Sequence, residues 1–277
     1  MGDEHRPPHQ GETAIIRQDQ NAPGTDAATR AGAALLVVQG LRKAFGGLQA
    51  LDGIDLVVHH GEIVGLIGPN GSGKTTFFNV ITGYFKPDRG SVRLGDRELA
   101  GLGAVEICRA GIARTFQLVR PFAQMTARHN VMVGRAYGAA PASNLTEAAR
   151  DADELLEFVG LAGREHVPAH SLTLVERKRL EVARALATRP RLLLLDEVMA
   201  GLNPTETTAA MELVTRIRQR GITVIMVEHI MQAVLGVSDR VVVFNAGQKI
   251  ADGPPAEVIA NPAVIEAYLG RDHELLD

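Results

Sequence analysis

Residues 68–75, Gly-Pro-Asn-Gly-Ser-Gly-Lys-Thr, constrain this chain more than any other stretch. An apolar run, Glu62-Ile63-Val64-Gly65-Leu66-Ile67, precedes them, and a segment with helical spacing, Thr76 to Ile81, follows. The order is strand, glycine-rich loop, helix. The spacing G-x-x-x-x-G-K-[ST] is complete, with Gly68, Gly73, Lys74 and Thr75 in place. Glycines let the backbone curl so that successive N–H groups point inward. The following helix presents its positive end, and the Lys74 ammonium neutralises β- and γ-phosphate charge. Gly68, Pro69, Asn70, Gly71, Ser72, Gly73, Lys74, Thr75 and Thr76 are therefore the expected nucleotide contacts. The Thr75 hydroxyl is expected to hold Mg2+, which keeps an octahedral oxygen shell shared among protein, water and phosphates.

A chain of 277 residues with 45% hydrophobic side chains can bury a sizeable core, as one large α/β domain or two small ones. Aromatics make up only 4% and there is no Trp, so Leu, Val, Ile and Ala must build the interior, as suits parallel strands covered on both faces. The 29 basic and 32 acidic side chains nearly cancel. No global field then draws the protein to nucleic acid or to an anionic bilayer, and any membrane link is expected through a protein partner. Cys108 is the single cysteine, which excludes an intrachain disulfide and a multi-Cys metal site and fits a reducing cytoplasm. No apolar run reaches the ~20 residues of a membrane-spanning helix, and the N-terminus lacks a signal-peptide hydrophobic core.

Residues 1–34 are rich in Gly, Pro, Asp, Gln, Thr and Ala without sustained periodicity, and read as a disordered tail. Residues 35–277 read as the folded domain. It opens with two strands, Leu35 to Phe45 and Leu51 to Val58, joined at Gly46-Gly47 as an N-terminal antiparallel portion. His59-His60-Gly61 reads as a solvated turn rather than a metal site, since no thiol or carboxylate cluster stands beside it. Beyond the glycine loop come a turn at Lys86 to Gly90, a hairpin around Gly95-Asp96, a short helix over Ala104 to Ala110, and a strand over Gly111 to Phe116 that delivers Gln117. Helical patterns at Ala127 to Arg135, Glu147 to Val159 and Val175 to Ala187 form an inserted subdomain, about residues 118–188. The α/β rhythm then resumes, giving a mixed sheet with flanking helices: a P-loop NTPase core.

Four leucines, Leu192 to Leu195, end in Asp196 and Glu197. Asp196 is expected to orient the Mg2+ shell, and Glu197 stands where a water could attack the γ-phosphate. His229, just past the strand Ile222 to Val227, could sense the γ-phosphate by hydrogen bond without titrating. Gln117 could give an uncharged ligand to Mg2+ or its water.

The ordered set Phe45, GPNGSGKT, Gln117, a helical insert, Asp196-Glu197, Ala200-Gly201-Leu202-Asn203 and His229 resembles the nucleotide-binding subunit of ABC transporters, over nearly everything after residue 34. The resemblance implies that Phe45 stacks on adenine, Gln117 is the Q-loop residue, Asp196 supports the metal, Glu197 is the general base and His229 the switch histidine. Ala200 to Asn203 is then the D-loop at a dimer interface. FGGLQAL at 45–51, AGLNP at 200–204 and EVIANPAVIEAYLG at 257–270 resemble the branched-chain amino-acid transport branch. Two positions depart from the family pattern. The signature LSGGQ is replaced by Leu172-Thr173-Leu174-Val175-Glu176, in which Thr173 keeps the hydroxyl expected to reach a second subunit's ATP, and Val198 stands where a proline usually follows the glutamate.

By this resemblance the chain is a cytoplasmic ATPase subunit on the inner face of the plasma membrane. It sandwiches two Mg-ATP with a second such subunit, as a homodimer or heterodimer, and drives integral-membrane permease subunits fed by a periplasmic solute-binding protein. The insert around Val119 to Val133 is the expected permease contact, and branched-chain or other hydrophobic amino acids are the expected cargo. Two alternatives stay open: a weakly hydrolysing partner of another ABC ATPase, motivated by Val175, and a soluble ABC ATPase without a permease.

Overall fold

The computed structural model describes residues 32–116 and 120–269. Of the segment read as a tail, residues 1–31 lie outside the described residues, and Ala34 already opens β1 (Ala34–Phe45), which pairs antiparallel with β2 (Leu48–His59). β3 (Ile63–Ile67) runs through the glycine loop into α1 (Lys74–Ile81). β4 (Arg89–Leu94) and β5 (Arg97–Glu98) form the expected hairpin. The turn expected through Gly90 ends sooner, because Arg89 already pairs with Arg42 of β1. Gly90, at φ 94°, lies so close to the Gln39 and Gly40 carbonyls that a Cβ would meet them at 2.6 Å. Only glycine lets β4 start there.

The short helix is α2 (Ala104–Ala110), and β6 (Ile112–Arg114) is shorter than the expected Gly111 to Phe116. Gly111 caps α2 at φ 106°, and the Thr115 hydroxyl turns to accept the Asp196 N–H at 3.1 Å. Next come α3 (Ala127–Tyr137), α4 (Leu145–Phe158) and α5 (Leu174–Ala187). Each begins at a side-chain cap, Thr126, Asn144 or Thr173, that accepts the N–H three residues on. Arg135 of α3, almost fully buried, pairs with Asp151 at 2.6 Å and Glu147 at 2.7 Å on α4. Removing one member of such a buried network typically costs about 3–5 kcal/mol.

β7 (Leu192–Asp196), α6 (Pro204–Gln219), β8 (Thr223–Val227), α7 (Met231–Val237), β9 (Arg240–Asn245), β10 (Gln248–Gly253), α8 (Pro255–Ile259) and α9 (Pro262–Leu269) complete the chain. Among the described residues the strands form two sheets, ordered β2-β1-β4-β5 and β10-β9-β3-β8-β7-β6. The first is antiparallel, and the second is parallel except for its β9–β10 edge. β3, β7 and β8 are buried along their whole length, as parallel strands covered on both faces must be. Alternation sorts their side chains. Leu192 and Leu194 pack with α1 and the antiparallel sheet, whereas Leu193 and Leu195 pack with α5 and α6. Every parallel strand therefore delivers its C-terminal end to one edge, where ligands of open α/β sheets bind.

Candidate active site

The glycine loop leaves β3 and enters α1 with its expected shape. Gly68, Gly71 and Gly73 take φ of 148°, 76° and 108°. A Cβ on Gly73 would meet the Ala50 carbonyl at 2.5 Å, and one on Gly68 the Phe244 carbonyl at 2.1 Å, so a side chain fits at neither. No side chain caps α1, whose first N–H groups face the loop. Lys74 Nζ donates to the Gly68 carbonyl at 2.6 Å and the Pro69 carbonyl at 3.0 Å, arching its charge over the cradle. Burial holds its pKa below the usual ammonium value, and the Glu197 and Asp196 carboxylates oppose that fall.

A cleft of about 490 Å³ collects Phe45, the loop from Asn70 to Thr76, Glu197 and His229. Phe45 is 42% exposed, stands edge-on to Phe85 at 5.0 Å and offers a ring face large enough to stack on a base. Glu197 Oε1 lies 2.9 Å from His229 Nε2. Glu197 is left-handed, at φ 51°, while its N–H bonds the Val227 carbonyl at 2.9 Å, so the chain stays tied to β8 as it turns. Thr75 lines both this cleft and an adjoining cavity of about 440 Å³ that holds Asp196, Arg114, Arg184 and Glu181.

Sequence reasoning missed Arg114. Its guanidinium donates to Asp196 Oδ2 at 2.6 Å and to Asn79 Oδ1 at 2.6 Å, and lies over the Phe78 and Phe116 rings. A lone arginine inside a buried strand is the signal, since a buried charge demands a partner. Glu181 of α5 was missed too. It accepts the Phe116 N–H at 2.9 Å, tying the helical insert to the backbone just before Gln117, and burial pushes its carboxyl up to about 7. Gln117 itself lies outside the described residues. Thr75 and Asp196 are hard oxygen donors on one cavity, a set that suits Mg2+ shared with phosphates and water. Among the described residues no three His, Cys, Asp or Glu side chains gather into a metal cage.

Thr173 does not line the cleft. It caps α5, its hydroxyl accepting the Glu176 N–H at 3.2 Å while Glu176 accepts the Thr173 N–H at 2.8 Å. Arg164 pairs with the Glu176 carboxylate at 2.8 Å. Val175 thus lies in the first helical turn and needs no positive φ, so a β-branched residue fits where the family signature has glycine.

A phosphate cradle at one strand end, with two acids and a histidine at its neighbours, defines a P-loop nucleotide-binding ATPase. The family profile for ABC transporters matches residues 51–200, and that for the branched-chain amino acid ATP-binding cassette transporter matches residues 248–274. The high-affinity branched-chain amino acid transport ATP-binding protein LivG of Salmonella typhimurium is 42% identical over 254 residues, covering 86% of this chain and 98% of LivG. BraF of Pseudomonas aeruginosa, described in the same words, is 42% identical over 250 residues, with the same coverage. The crystal structure of MJ1267 in its ADP conformation, an ATP-binding cassette of an ABC transporter, superposes with a TM-score of 0.77 at 32% identity, over 86% of this chain and 99% of that one. The chain belongs to the ABC transporter ATP-binding family, in its branched-chain amino-acid branch. No helix among the described residues is long and apolar enough to cross a membrane.

Proposed function

We propose that this chain binds and hydrolyses Mg-ATP to power uptake of branched-chain or other hydrophobic amino acids through separate permease subunits. One observation carries the catalytic part of the reading. The Glu197 carboxylate, held 2.9 Å from His229 Nε2, lines the same cleft as the phosphate loop. The triphosphate rests on the loop N–H groups under Lys74, and the base stacks on Phe45. Thr75, Asp196 and Gln117 would hold Mg2+, which neutralises charge on the phosphate oxygens. Glu197 takes the proton of the attacking water, and His229 fixes that carboxylate and reads the γ-phosphate.

Residues 35–277 act as one ATPase domain whose insert, about residues 118–188, carries the permease contact. A second cassette, identical or homologous, completes each site by bringing the N-terminus of its α5, with Thr173, to the γ-phosphate. The N–H groups of Leu174 and Val175, in the first turn of α5, have no acceptor within the helix and suit that anion. The chain then works at the inner face of the plasma membrane, with a periplasmic solute-binding protein presenting cargo on the far side. Glu197→Gln tests the assignment. ATP binding should persist while turnover falls roughly 100-fold or more, as expected when a general base is lost. Phosphate release near the wild-type rate would move the base elsewhere.

A further inference from the structure

Three side chains from two parts of the fold converge on the four residues after β7. From α5, Lys178 Nζ donates to the carbonyls of Glu197 at 3.2 Å, Val198 at 3.1 Å and Ala200 at 2.6 Å. An ammonium has three protons and no acceptor, so these three carbonyls use its whole donor capacity. From the end of β8, the buried Glu228 carboxylate accepts the Met199 N–H at 2.8 Å, the one residue of the four whose carbonyl Lys178 does not take. His229 meets the Glu197 side chain. The segment is thus held by its carbonyls from the helical insert and by an N–H from the sheet, around a Glu197 whose left-handed φ needs outside support. Lys178 and Glu228 are of opposite charge and attract across the segment they grip, and burial lowers the lysine's pKa and raises the glutamate's.

We propose that Lys178 is a positioning residue for ATP hydrolysis, fixing the Glu197 backbone from the helical insert so that the carboxylate reaches the attacking water. The inference rests on the reading of Glu197 as the base. Lys178 touches neither nucleotide loop nor cleft, so its loss leaves ground-state binding alone and acts on the reaction step. Because the grip comes from α5, the geometry of the base follows the position of the helical insert.

The test uses the purified full chain. Lys178→Met keeps length and removes the donors, and should lower kcat by roughly 10- to 100-fold, the scale of a misplaced catalytic group, with the KM for ATP within about twofold. Lys178→Arg, which keeps charge and several donors, should recover most of that loss. In the Glu197→Gln background Lys178→Met should change residual turnover by less than about twofold, because the group it positions is already gone. Melting temperatures of all variants report folding. If Lys178→Met melts early, Lys178→Leu, which also lacks donors, is judged by the same criteria. The inference is overturned if the donor-free variant turns over at the wild-type rate, if its loss sits in KM, or if the full loss persists in the Glu197→Gln background. Wild-type turnover by Glu197→Gln alone would instead overturn the base assignment.

Discussion

At φ 51° Glu197 occupies a region that costs an L-residue about 1–3 kcal/mol, a strain kept only where the surroundings over-determine it. The sequence makes the pair Asp196-Glu197 legible as a strand end, but not that the two acids diverge. Asp196 is drawn to Arg114 and Glu197 turns to His229. Those partners lie far along the chain, and no local spacing encodes them. Lys74 was legible, because its role follows from a contiguous motif. Its Nζ also bonds two carbonyls of its own loop, so Lys74→Ala removes both phosphate neutralisation and a brace of the loop. Charge-assisted hydrogen bonds contribute about 1.5–3 kcal/mol each, so Mg-ATP affinity should fall roughly 10- to 100-fold by titration calorimetry. Unchanged affinity would refute the cradle.

The helix expected over Val175 to Ala187 is α5, one residue longer at its start, and what sequence reasoning did not see in it is the work of its side chains. Thr173 and Glu176 have the spacing of a capping box, a purely local signal, yet family comparison marks residue 176 only as a departure. The cap explains why Leu174 and Val175 are accepted there: they are ordinary first-turn helical residues. Further along, Glu181 ties α5 to Phe116 while buried near Arg184 and Lys178. Its carboxyl titrates at about 7 in the folded chain against an ordinary 4.5, so the folded state holds this proton more tightly than the unfolded. That stabilisation is complete below the ordinary value and is lost as pH rises through about 7, with an upper bound of about 3 kcal/mol. Glu181→Gln keeps an acceptor for the Phe116 N–H and cannot ionise. In urea unfolding it should gain on the wild type between about pH 5 and about pH 8. A constant offset across that range would assign the shift elsewhere.

On the scale of the whole molecule, the sheet was legible because strands buried on both faces announce themselves as unbroken apolar runs, and the antiparallel N-terminal pair because Gly46-Gly47 punctuates it. The groove between the sheet core and the helical insert was legible only as a stretch, since its walls come from segments far apart in sequence. Tyr84 after α1 and Tyr137 at the end of α3 are 72% and 68% exposed and line a cleft of about 320 Å³ with Val133. Large exposed aromatics around a cleft suit a protein contact, which the proposed function would give to a permease subunit. The proposed function gives the α5 N-terminus, a different surface, to the second cassette, so the two assemblies should fail separately. If the proposed sandwich is right, Thr173→Arg fills the space a second subunit's γ-phosphate needs. It should leave monomer ATP binding intact and abolish ATP-dependent dimerisation in gel filtration. Tyr137→Glu places a carboxylate on the rim of this cleft. It should leave ATP binding and dimerisation unchanged while the chain no longer copurifies with its membrane subunits, since covering a carboxylate with an apolar partner is costly. Loss of both assemblies in either variant would mean that one surface serves both.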